Sequence, residues 1–437
     1  MLRNRLLLPC PIRPLLALIL LLGSASGFAQ SVKDFGAIGD GQADDTAAIQ
    51  QALDAGKGVV ELPAGRYRLT ATLRVPSKSG LRGPGTLYME ADATTLMNAD
   101  EATSLTDIRL DGFRVEKQFV MNSVHDGIRI VGARNVVIDG VEVTGISCCY
   151  GISLERCENF AIRNCYIHDF KSDWTERKLP GGRSLDSLGI HLRYSRWGQV
   201  TGNRIENLNV SEASANAMAY QTDGINPGWC SQLVIANNII RNVGEGIDLV
   251  HCESTAVTGN AIDTCWHFGI KVIHGSRLVT LTGNTIRDAS LAGMSLYFGG
   301  SNNGDSYGNV VSGNTIANTG AITRAEDASA KGIWRGWPTC GIEIVNDNQP
   351  NNSVHDYVIT GNVICDDQSS ATCQYGVIER YITIKTPGLD PLKTEAVFEH
   401  EPIDDGGLFT NIIAHNLIRG VKTKAYRTGS AVHPQVD

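Results

Sequence analysis

The sequence predicts an all-β protein, because two short patterns alternate along most of the chain as in a parallel β-helix. The first, x-Gly-Ile-x-Ile/Leu and close variants, recurs at Gly127, Gly151, Gly189, Gly224, Gly246, Gly269, Gly293 and Gly341. The second, Val/Ile-x-Gly/Asn-Asn-x-Ile, recurs at Asn203, Asn238, Asn260, Asn284, Asn314 and Asn362. Uninterrupted, the period is about 22 to 24 residues, which indicates a solenoid. The 47 glycines among 437 residues fit one turn residue in each coil.

Each period fits a short strand, a turn and a second short strand, and stacked coils would share a core of Ile, Leu and Val. Asparagines at one position of successive coils are expected to form a hydrogen-bonded ladder. Leucine-rich repeats are the alternative, but they require a sustained leucine pattern with helical returns. We therefore predict a β-helix over residues 30–380, with residues 381–437 as further coils and tail of the same domain.

The first 29 residues have the three parts of a bacterial signal peptide. They contain a basic segment, an apolar stretch too short to span a bilayer, and a small-residue cleavage site, seen at Arg3, Arg5, Arg13, Leu15 to Leu22 and Gly27-Phe28-Ala29. Cleavage before Gln30 would send the chain to the periplasm or the exterior, with no membrane insertion afterwards.

The net charge of the chain bears on the class of ligand. The net charge of −8 argues against nucleic acid as the main ligand.

Cys230 and Cys252 are separated by as many residues as Asp223 and Glu245, so we expect them on adjacent coils and within disulfide range. Cys365 and Cys373 would close a short loop. No Cys or His spacing indicates zinc, and no cofactor is predicted.

The N-terminal segment after the signal peptide carries a family signature. Val32-Lys33-Asp34-Phe35-Gly36-Ala37 leads to Gly39-Asp40-Gly41, and an amphipathic helical pattern follows over 44–53. This opening resembles the pectate-lyase-like superfamily of polygalacturonases, pectate lyases and tailspike depolymerases. The resemblance, over residue 31 to about 365, implies a single right-handed parallel β-helix whose N-terminal end is capped by a short helix. It does not select one activity.

The repeat also predicts which polar side chains share the outer face of the β-helix. The alternation of strand residues points these outward: Arg129, Ser153, His191, Asn226, Asp248, Lys271, Ser295 and Glu343. Neighbouring coils lie about 4.8 Å apart. Asp223, Glu245, Asp248 and Lys271 are therefore expected on three adjacent coils, beside His267 and His274.

Carboxyl groups in register repel each other unless one is protonated or a cation lies between them. Two carboxyl groups that flank a glycosidic bond act as acid and base, or as acid and nucleophile. The leading hypothesis is thus a glycoside hydrolase that degrades a polysaccharide, with these catalytic residues: Asp223, Glu245, Asp248, His267 and Lys271. The alternative is that these residues have no catalytic role. They would then form an acidic face on which Lys271 is a structural ion-pair partner.

A second resemblance bears on this site. Gln221-Thr222-Asp223-Gly224 resembles the Asn-Thr-Asp-Gly motif of polygalacturonase-type hydrolases, which implies a catalytic acid at Asp223 and matches Glu245 to one of that family's paired carboxylates. The other carboxylate is replaced by Gly244, and Phe268 stands at the family's histidine position. The Arg-Ile-Lys substrate clamp would fall at Ser295 to Tyr297 and is absent. These departures favour another sugar specificity.

Two alternatives remain open. A polysaccharide lyase or uronate epimerase would take its base from Lys271, His191, His267 or Arg193, and Ca²⁺ would find oxygen ligands in Asn226, Glu245 and Asp248. A noncatalytic polysaccharide-binding or processing protein would use the same face without turnover.

The expected partner is a polysaccharide, neutral or anionic. Aromatic rings suit sugar stacking, and polar side chains near the acidic coils suit hydroxyl or carboxylate groups. The substrate-binding residues predicted on this basis are His191, Arg193, Asn226, Trp229, Trp266, His274, Tyr297, Trp334 and Trp337.

Overall fold

The computed structural model describes most of the repeat region. The described residues are 30–56, 58–101, 104–118, 120, 125–147, 149–170, 187–208, 222–297, 304–321, 338–347, 354–383, 399–401, 410–428 and 432–433. The proposed signal peptide, residues 1–29, and the predicted sugar ligands Trp334 and Trp337 lie outside these residues.

Three sheets of 13 strands each run the length of the described chain. Sheet 1 consists of Leu73–Val75, Leu96–Asn98, Ile128–Val131, Cys149–Glu155, Ser187–Arg193, Ile225–Gly228, Ile247–Val250, Phe268–Ile273, Ala292–Tyr297, Cys340–Asp347, Tyr375–Thr383, Glu399–Glu401 and Lys424–Arg427. Sheet 2 consists of Val59–Glu61, Gly80–Arg82, Thr106–Asp111, Arg134–Asp139, Glu158–Arg163, Arg196–Thr201, Ser231–Ala236, Ala256–Thr258, Thr280–Thr282, Val310–Ser312, Val358–Thr360, Ile412–Ala414 and Val432–His433.

Sheet 3 consists of Asp40–Asp44, Arg66–Leu69, Thr86–Met89, Arg114–Lys117, Glu142–Thr144, Tyr166–His168, Arg204–Glu206, Ile239–Val243, Ala261–Cys265, Thr285–Ala289, Thr315–Ala317, Val363–Cys365 and Leu417–Arg419. Ser306–Tyr307 pairs with Val354–His355 outside the three sheets. Glu399–Glu401 runs antiparallel to its neighbour, and the other pairings within the described strands are parallel. The predicted parallel β-helix is confirmed.

Each coil has three strands, one more than the sequence predicted. The chain passes through sheet 1, then sheet 2, then sheet 3, as in Ile225–Gly228, Ser231–Ala236 and Ile239–Val243. The second sequence pattern spans two strands, because its Gly-Asn step is a corner between sheets 2 and 3. At such corners Gly259 has a φ of 66°, a left-handed conformation that glycine adopts without steric cost.

The glycine that opens each sheet 1 pattern is a packing residue and not the predicted turn residue. A Cβ on Gly246 would lie 2.3 Å from the carbonyl oxygen of Gly269 and 2.7 Å from Cγ2 of Ile262. Each such glycine therefore lets the next coil and an isoleucine or valine of sheet 3 approach closely, which explains why glycine recurs once per coil at this position.

The predicted asparagine ladder is present between sheets 2 and 3. Successive side-chain amides donate to each other at 2.9 to 3.0 Å along the column Asn203, Asn238, Asn260, Asn284, Asn314, Asn362 and Asn416. Each Oδ1 also accepts from the backbone N–H of the preceding asparagine, as Asn284 does from Asn260 at 3.0 Å. The column satisfies buried polar groups while it fixes the register of adjacent coils.

The predicted disulfides are wrong, since Cys230, Cys252, Cys365 and Cys373 are all free thiols in the structure. Equivalent residues on adjacent parallel strands have parallel Cα–Cβ bonds about 4.8 Å apart. A disulfide requires Cβ atoms about 3.8 Å apart. Cys230 and Cys252 are each 1% exposed and fill the core as small residues.

The helix predicted over 44–53 forms at Thr46–Asp54 and follows a short 3-10 helix, Val32–Phe35. Its apolar residues Ile49, Ala52 and Leu53 are fully buried against the first coils, so it covers the N-terminal end of the core. Within the described part of the chain, no helix is both long and apolar enough to cross a membrane.

We expect Asn284→Ala to destabilise the fold, because the truncation leaves four hydrogen bonds of the column unmade. A buried polar group without a partner costs about 1 to 3 kcal/mol. Urea unfolding followed by circular dichroism measures the change. The adjacent Thr285 side chain is exposed, so Thr285→Ala is the control, and equal midpoints for the two variants would contradict the structural role of the column.

Candidate functional site

The outer face of sheet 1 carries the predicted row of polar side chains. The strand register pairs residues of this row directly in two runs: Arg129, Ser153, His191 and Asn226, then Asp248, Lys271, Ser295 and Glu343. Adjacent coils therefore present side chains of this row one above another, as the repeat alignment predicted.

Four charged side chains of this face meet in one cluster. Nζ of Lys271 lies 2.5 Å from Oε2 of Glu245 and 3.0 Å from Oδ2 of Asp248. Nδ1 of His267 lies 3.6 Å from Oε1 of Glu245. The amide of Asn226 donates to Asp223 at 2.8 Å and to Asp248 at 3.4 Å. We call Asp223, Glu245, Asp248 and Lys271 the carboxylate–lysine cluster.

The cluster lies on the outer side of sheet 1, yet it is covered. Asp223 and Asp248 are 0% exposed, Glu245 is 2% and Lys271 is 1%. His267 and Asn226 at its edge are 6% and 8% exposed. Burial of unpaired charge is costly, so these groups depend on one another for compensation.

Burial and mutual charge separate the proton affinities of the two carboxyl groups bound to Lys271. Burial raises the pKa of Asp248 to about 7, with a further contribution from the charge of Glu245. Burial acts in the same direction on Glu245, but the positive charge of Lys271 and the contact with His267 outweigh it and lower the pKa of Glu245 to about 2. Despite burial, the surrounding carboxylates raise the pKa of Lys271, so its amine stays protonated.

The three carboxyl groups have the composition of a cation site, since one oxygen from each lies within 4.8 Å of the others. Ca²⁺ prefers six to eight oxygen ligands in proteins. Here the ammonium of Lys271 already contacts two of the three carboxylates, and Asn226 faces Asp223 and Asp248 with its amide donor. In this arrangement Lys271 supplies the charge that compensates Glu245 and Asp248.

Polar contacts continue on the coils at either side of the cluster. The ring of His191 stacks on Tyr150 with centroids 4.2 Å apart, and burial together with the charges of Arg193 and Arg129 lowers its pKa to about 3. In the other direction, Ser295 donates to Glu343 at 2.6 Å and Glu343 pairs with Arg380 at 3.1 Å. Sequence reasoning missed Tyr150 and Arg380 as members of this face.

The remaining predicted ligands occupy different places. Trp229 and His274 lie at the corner after sheet 1, where Arg193 packs over the Trp229 ring. Tyr297 is buried in sheet 1, two residues beyond Ser295. The indole N–H of Trp266 donates to Asn242 at 3.0 Å, which is not a member of the cluster.

Local packing explains one departure from the polygalacturonase motif. A Cβ on Gly244 would lie 2.4 Å from Oγ1 of Thr222, so the site has no room for a second carboxylate at this position. The side chain of Asp248, three residues after Glu245, supplies the additional carboxyl group instead.

The three long parallel sheets, with a polar cluster on one outer face, define a parallel β-helix protein. Residues 109–277 and 189–378, together more than half of the chain, match the family described as right handed beta helix region. The chain belongs to this family, and the predicted right-handed parallel β-helix fold is confirmed.

Sequence relatives share only part of their length with this chain. A mannuronan C5-epimerase of Azotobacter vinelandii, AlgE5, is 34% identical over 169 residues, which is 32% of this chain and 17% of the relative. Alginate lyase 7 of the same organism is 30% identical over 171 residues, which is 33% of this chain and 20% of the relative. These two relatives are thus named as an epimerase and a lyase.

Solved structures share the fold over nearly the whole chain. The A-module of the A. vinelandii mannuronan C-5 epimerase AlgE6 superposes with a TM-score of 0.63 at 18% identity, covering 93% of this chain and 100% of the module. The family 28 exopolygalacturonase of Yersinia enterocolitica gives 0.62 at 15% identity, with 94% and 79% covered. At these identities the likeness concerns the fold alone.

We expect Lys271→Met to lower the free energy of unfolding by about 3 to 5 kcal/mol at pH 8, because it leaves buried carboxylates without compensation. Without the ammonium the pKa values of Glu245 and Asp248 rise in the folded protein. The folded state then binds more protons than the unfolded state, so stability falls as pH rises. The deficit should therefore shrink at pH 5, as urea titrations at both pH values would measure.

The matched control is Arg277→Met. Arg277 pairs with Glu253 at 2.8 Å, but both side chains are more than 40% exposed. Exposed ion pairs contribute about 0 to 1 kcal/mol. A loss for Lys271→Met as small as that of the control, or equal losses at pH 5 and pH 8, would contradict a compensating role for Lys271.

Proposed function

We propose that this protein is a glycoside hydrolase that cleaves a polysaccharide at the carboxylate–lysine cluster. The observation that carries the proposal is a pair of buried carboxyl groups on one ammonium: Nζ of Lys271 lies 2.5 Å from Glu245 and 3.0 Å from Asp248. Their surroundings shift the two pKa values in opposite directions, upward for Asp248 and downward for Glu245. Neighbouring groups whose environments drive their pKa values apart are suited to the acid and base roles of one reaction.

The pKa values assign the roles. Asp248 keeps its proton close to neutral pH and would donate it to the leaving glycosidic oxygen, while Glu245 is ionised and would act as nucleophile or base. Retaining glycosidases hold these two groups about 5 to 5.5 Å apart, and inverting enzymes hold them farther apart. One oxygen of each group lies within 4.8 Å of the other, which is compatible with the shorter spacing, and at that spacing Glu245 would be the nucleophile.

The remaining groups would position this pair and bind the sugar. Lys271 contacts both carboxylates and fixes their geometry, and Asn226 orients Asp223 against Asp248. The transition state of glycoside cleavage develops positive charge at the sugar ring. Three carboxyl groups around one ammonium suit that charge. Because the carboxylates are at most 2% exposed, the groups that cover them must move before a sugar reaches them.

Proton abstraction at C5 of a uronate, leading to epimerisation or β-elimination, is the second candidate. Named relatives of this chain are mannuronan C5-epimerases and an alginate lyase. His191 is kept neutral, next to Tyr150, and would serve as the base. The neighbouring Arg193 would neutralise the uronate carboxylate. Lys271 is not a suitable base, because its raised pKa keeps it protonated.

We further propose that the protein acts outside the cytoplasm and that residues 381–437 complete the same domain. The signal-peptide pattern of residues 1–29 supports the first proposal. Pairing of Ile412–Ala414, Leu417–Arg419 and Lys424–Arg427 with strands of the three sheets supports the second.

Incubation with a panel of neutral and uronic-acid polysaccharides distinguishes the candidate reactions. We expect new reducing ends without absorbance from unsaturated uronate, because hydrolysis adds water across the cleaved bond. Unsaturated products would instead identify a lyase. Deuterium exchange from solvent into C5 without chain shortening would identify an epimerase, and binding without either product would identify a noncatalytic protein.

Two controls locate the reaction. Glu245→Gln should abolish turnover if Glu245 is the nucleophile, and full activity of this variant would remove the cluster from the mechanism. Treatment with a chelator should leave hydrolysis unchanged, because Lys271 already occupies the contacts that a divalent cation would need.

The pH dependence of kcat/KM should show a fall as pH rises through about 7, because Asp248 loses its catalytic proton there. Protonation of Glu245 becomes significant only near pH 2, so activity should hold down to the acid limit of stability. Asp248→Asn should lower the rate about 10²- to 10⁴-fold. Asp263→Asn, on the outer face of sheet 3, is the control. A profile that stays flat through pH 7 would contradict the assignment of Asp248.

A further inference from the structure

Four aromatic side chains form a stacked column at the corner where sheet 1 ends. The ring centroids of Tyr194 and Trp229 are 5.4 Å apart, those of Trp229 and His251 are 4.6 Å apart, and those of His251 and His274 are 5.4 Å apart. Tyr194 and Trp229 are 47% and 45% exposed. We call Tyr194, Trp229, His251 and His274 the aromatic column.

The backbone at this corner is unfavourable for large side chains. The four residues have φ values of 51° to 56°, in the left-handed region. Gly132 has a φ of 68° at the same corner, two coils before Tyr194. Glycine is the residue that adopts this conformation without cost, whereas a bulky side chain there is uncommon. Four aromatic residues in succession at such a position indicate a use for the exposed rings.

The aromatic column runs parallel to the proposed catalytic row. Tyr194, Trp229, His251 and His274 each follow by three residues a member of that row, namely His191, Asn226, Asp248 and Lys271. A strand advances about 3.3 Å per residue, so the column lies about 10 Å to one side of the row. A polymer that lies along the axis of the β-helix on sheet 1 would contact both.

Positive charge accompanies the aromatic column. The guanidinium carbon of Arg193 lies 5.2 Å from the Tyr194 ring centroid and 5.1 Å from that of Trp229. On the coil below, Glu155 pairs with both Arg129 and Arg156. Among the described residues, Arg193 itself has no carboxylate within ion-pair distance, so it presents a positive charge for a ligand.

We infer that the aromatic column and Arg193 bind an anionic polysaccharide, one that carries carboxylate groups, along the axis of the β-helix. This inference rests on the proposed function, because it assigns the substrate class of the site beside it. Arg193 would pair with a sugar carboxylate, while the exposed rings and their O–H and N–H groups would contact the sugar rings. The carboxylate–lysine cluster, in the row beside the aromatic column, would act on the glycosidic bond of the bound polymer.

Affinity electrophoresis of the full chain tests the inference, with polygalacturonate, alginate or dextran as the immobilised probe. All proteins carry Glu245→Gln, so that the probe is not consumed. We expect retardation by at least one of the two polyuronates, weaker at high salt, and none by dextran. Trp229→Gly and Arg193→Gln should each raise the dissociation constant about tenfold. Glycine at position 229 suits the backbone, so loss of affinity with an unchanged unfolding midpoint separates binding from folding.

Trp197→Gly is the matched control. Trp197 is also exposed, has a φ of 58° and lies under Arg196, but it belongs to sheet 2, so its variant should bind polyuronate unchanged. Equal binding of polyuronate by wild type, Trp229→Gly and Arg193→Gln would overturn the inference, as would retardation by dextran alone. Polyuronate binding that needs the aromatic column, with no product in the turnover assays, would refute the hydrolase and leave this binding surface intact.

Discussion

In-register stacking of coils is the constraint on which every other feature of this protein depends. A polar cluster assembled from residues far apart in sequence requires adjacent coils to keep one fixed offset, since a slip of one residue would turn each side chain to the opposite face. The asparagine column fixes the offset at the corner between sheets 2 and 3. The inward glycines of sheet 1 fix it on the other side, because only glycine leaves room for the isoleucines packed against them.

That rigidity permits an electrostatic arrangement that would otherwise be unfavourable. Three carboxyl groups and one ammonium are held out of water, and Lys271 lies closer to Glu245 than to Asp248. The ammonium and the contact with His267 together lower the pKa of Glu245, whereas burial and the charge of Glu245 raise that of Asp248. The proposed acid–base pair thus follows from the placement of Lys271 and His267 around two buried carboxyl groups.

Much of this arrangement could be predicted from the sequence, because a repeat converts spacing into spatial contact. The spacing from Asp223 to Glu245 and Asp248, and on to Lys271, predicted the cluster without any coordinates. The same logic failed for Cys230 and Cys252, where equivalent positions imply proximity but not the converging Cβ atoms that a disulfide needs. The repeat also did not reveal the third strand of each coil. The second sequence pattern runs without a break through the Gly-Asn corner between sheets 2 and 3, so two strands were predicted as one. His251 stands at the corner three residues after Asp248, beyond the end of the Gly-Ile-x-Leu pattern, so the repeat carries no signal for it.

The asparagine column has a consequence for how such a chain grows. Each interior asparagine amide donates to the next coil and accepts from the preceding one, so each has the same bonding whatever its place in the column. Duplication of one coil would insert another member without altering the bonds made by the rest. A solenoid of this kind can lengthen during evolution by whole coils, while its outer face acquires new side chains independently of the interior.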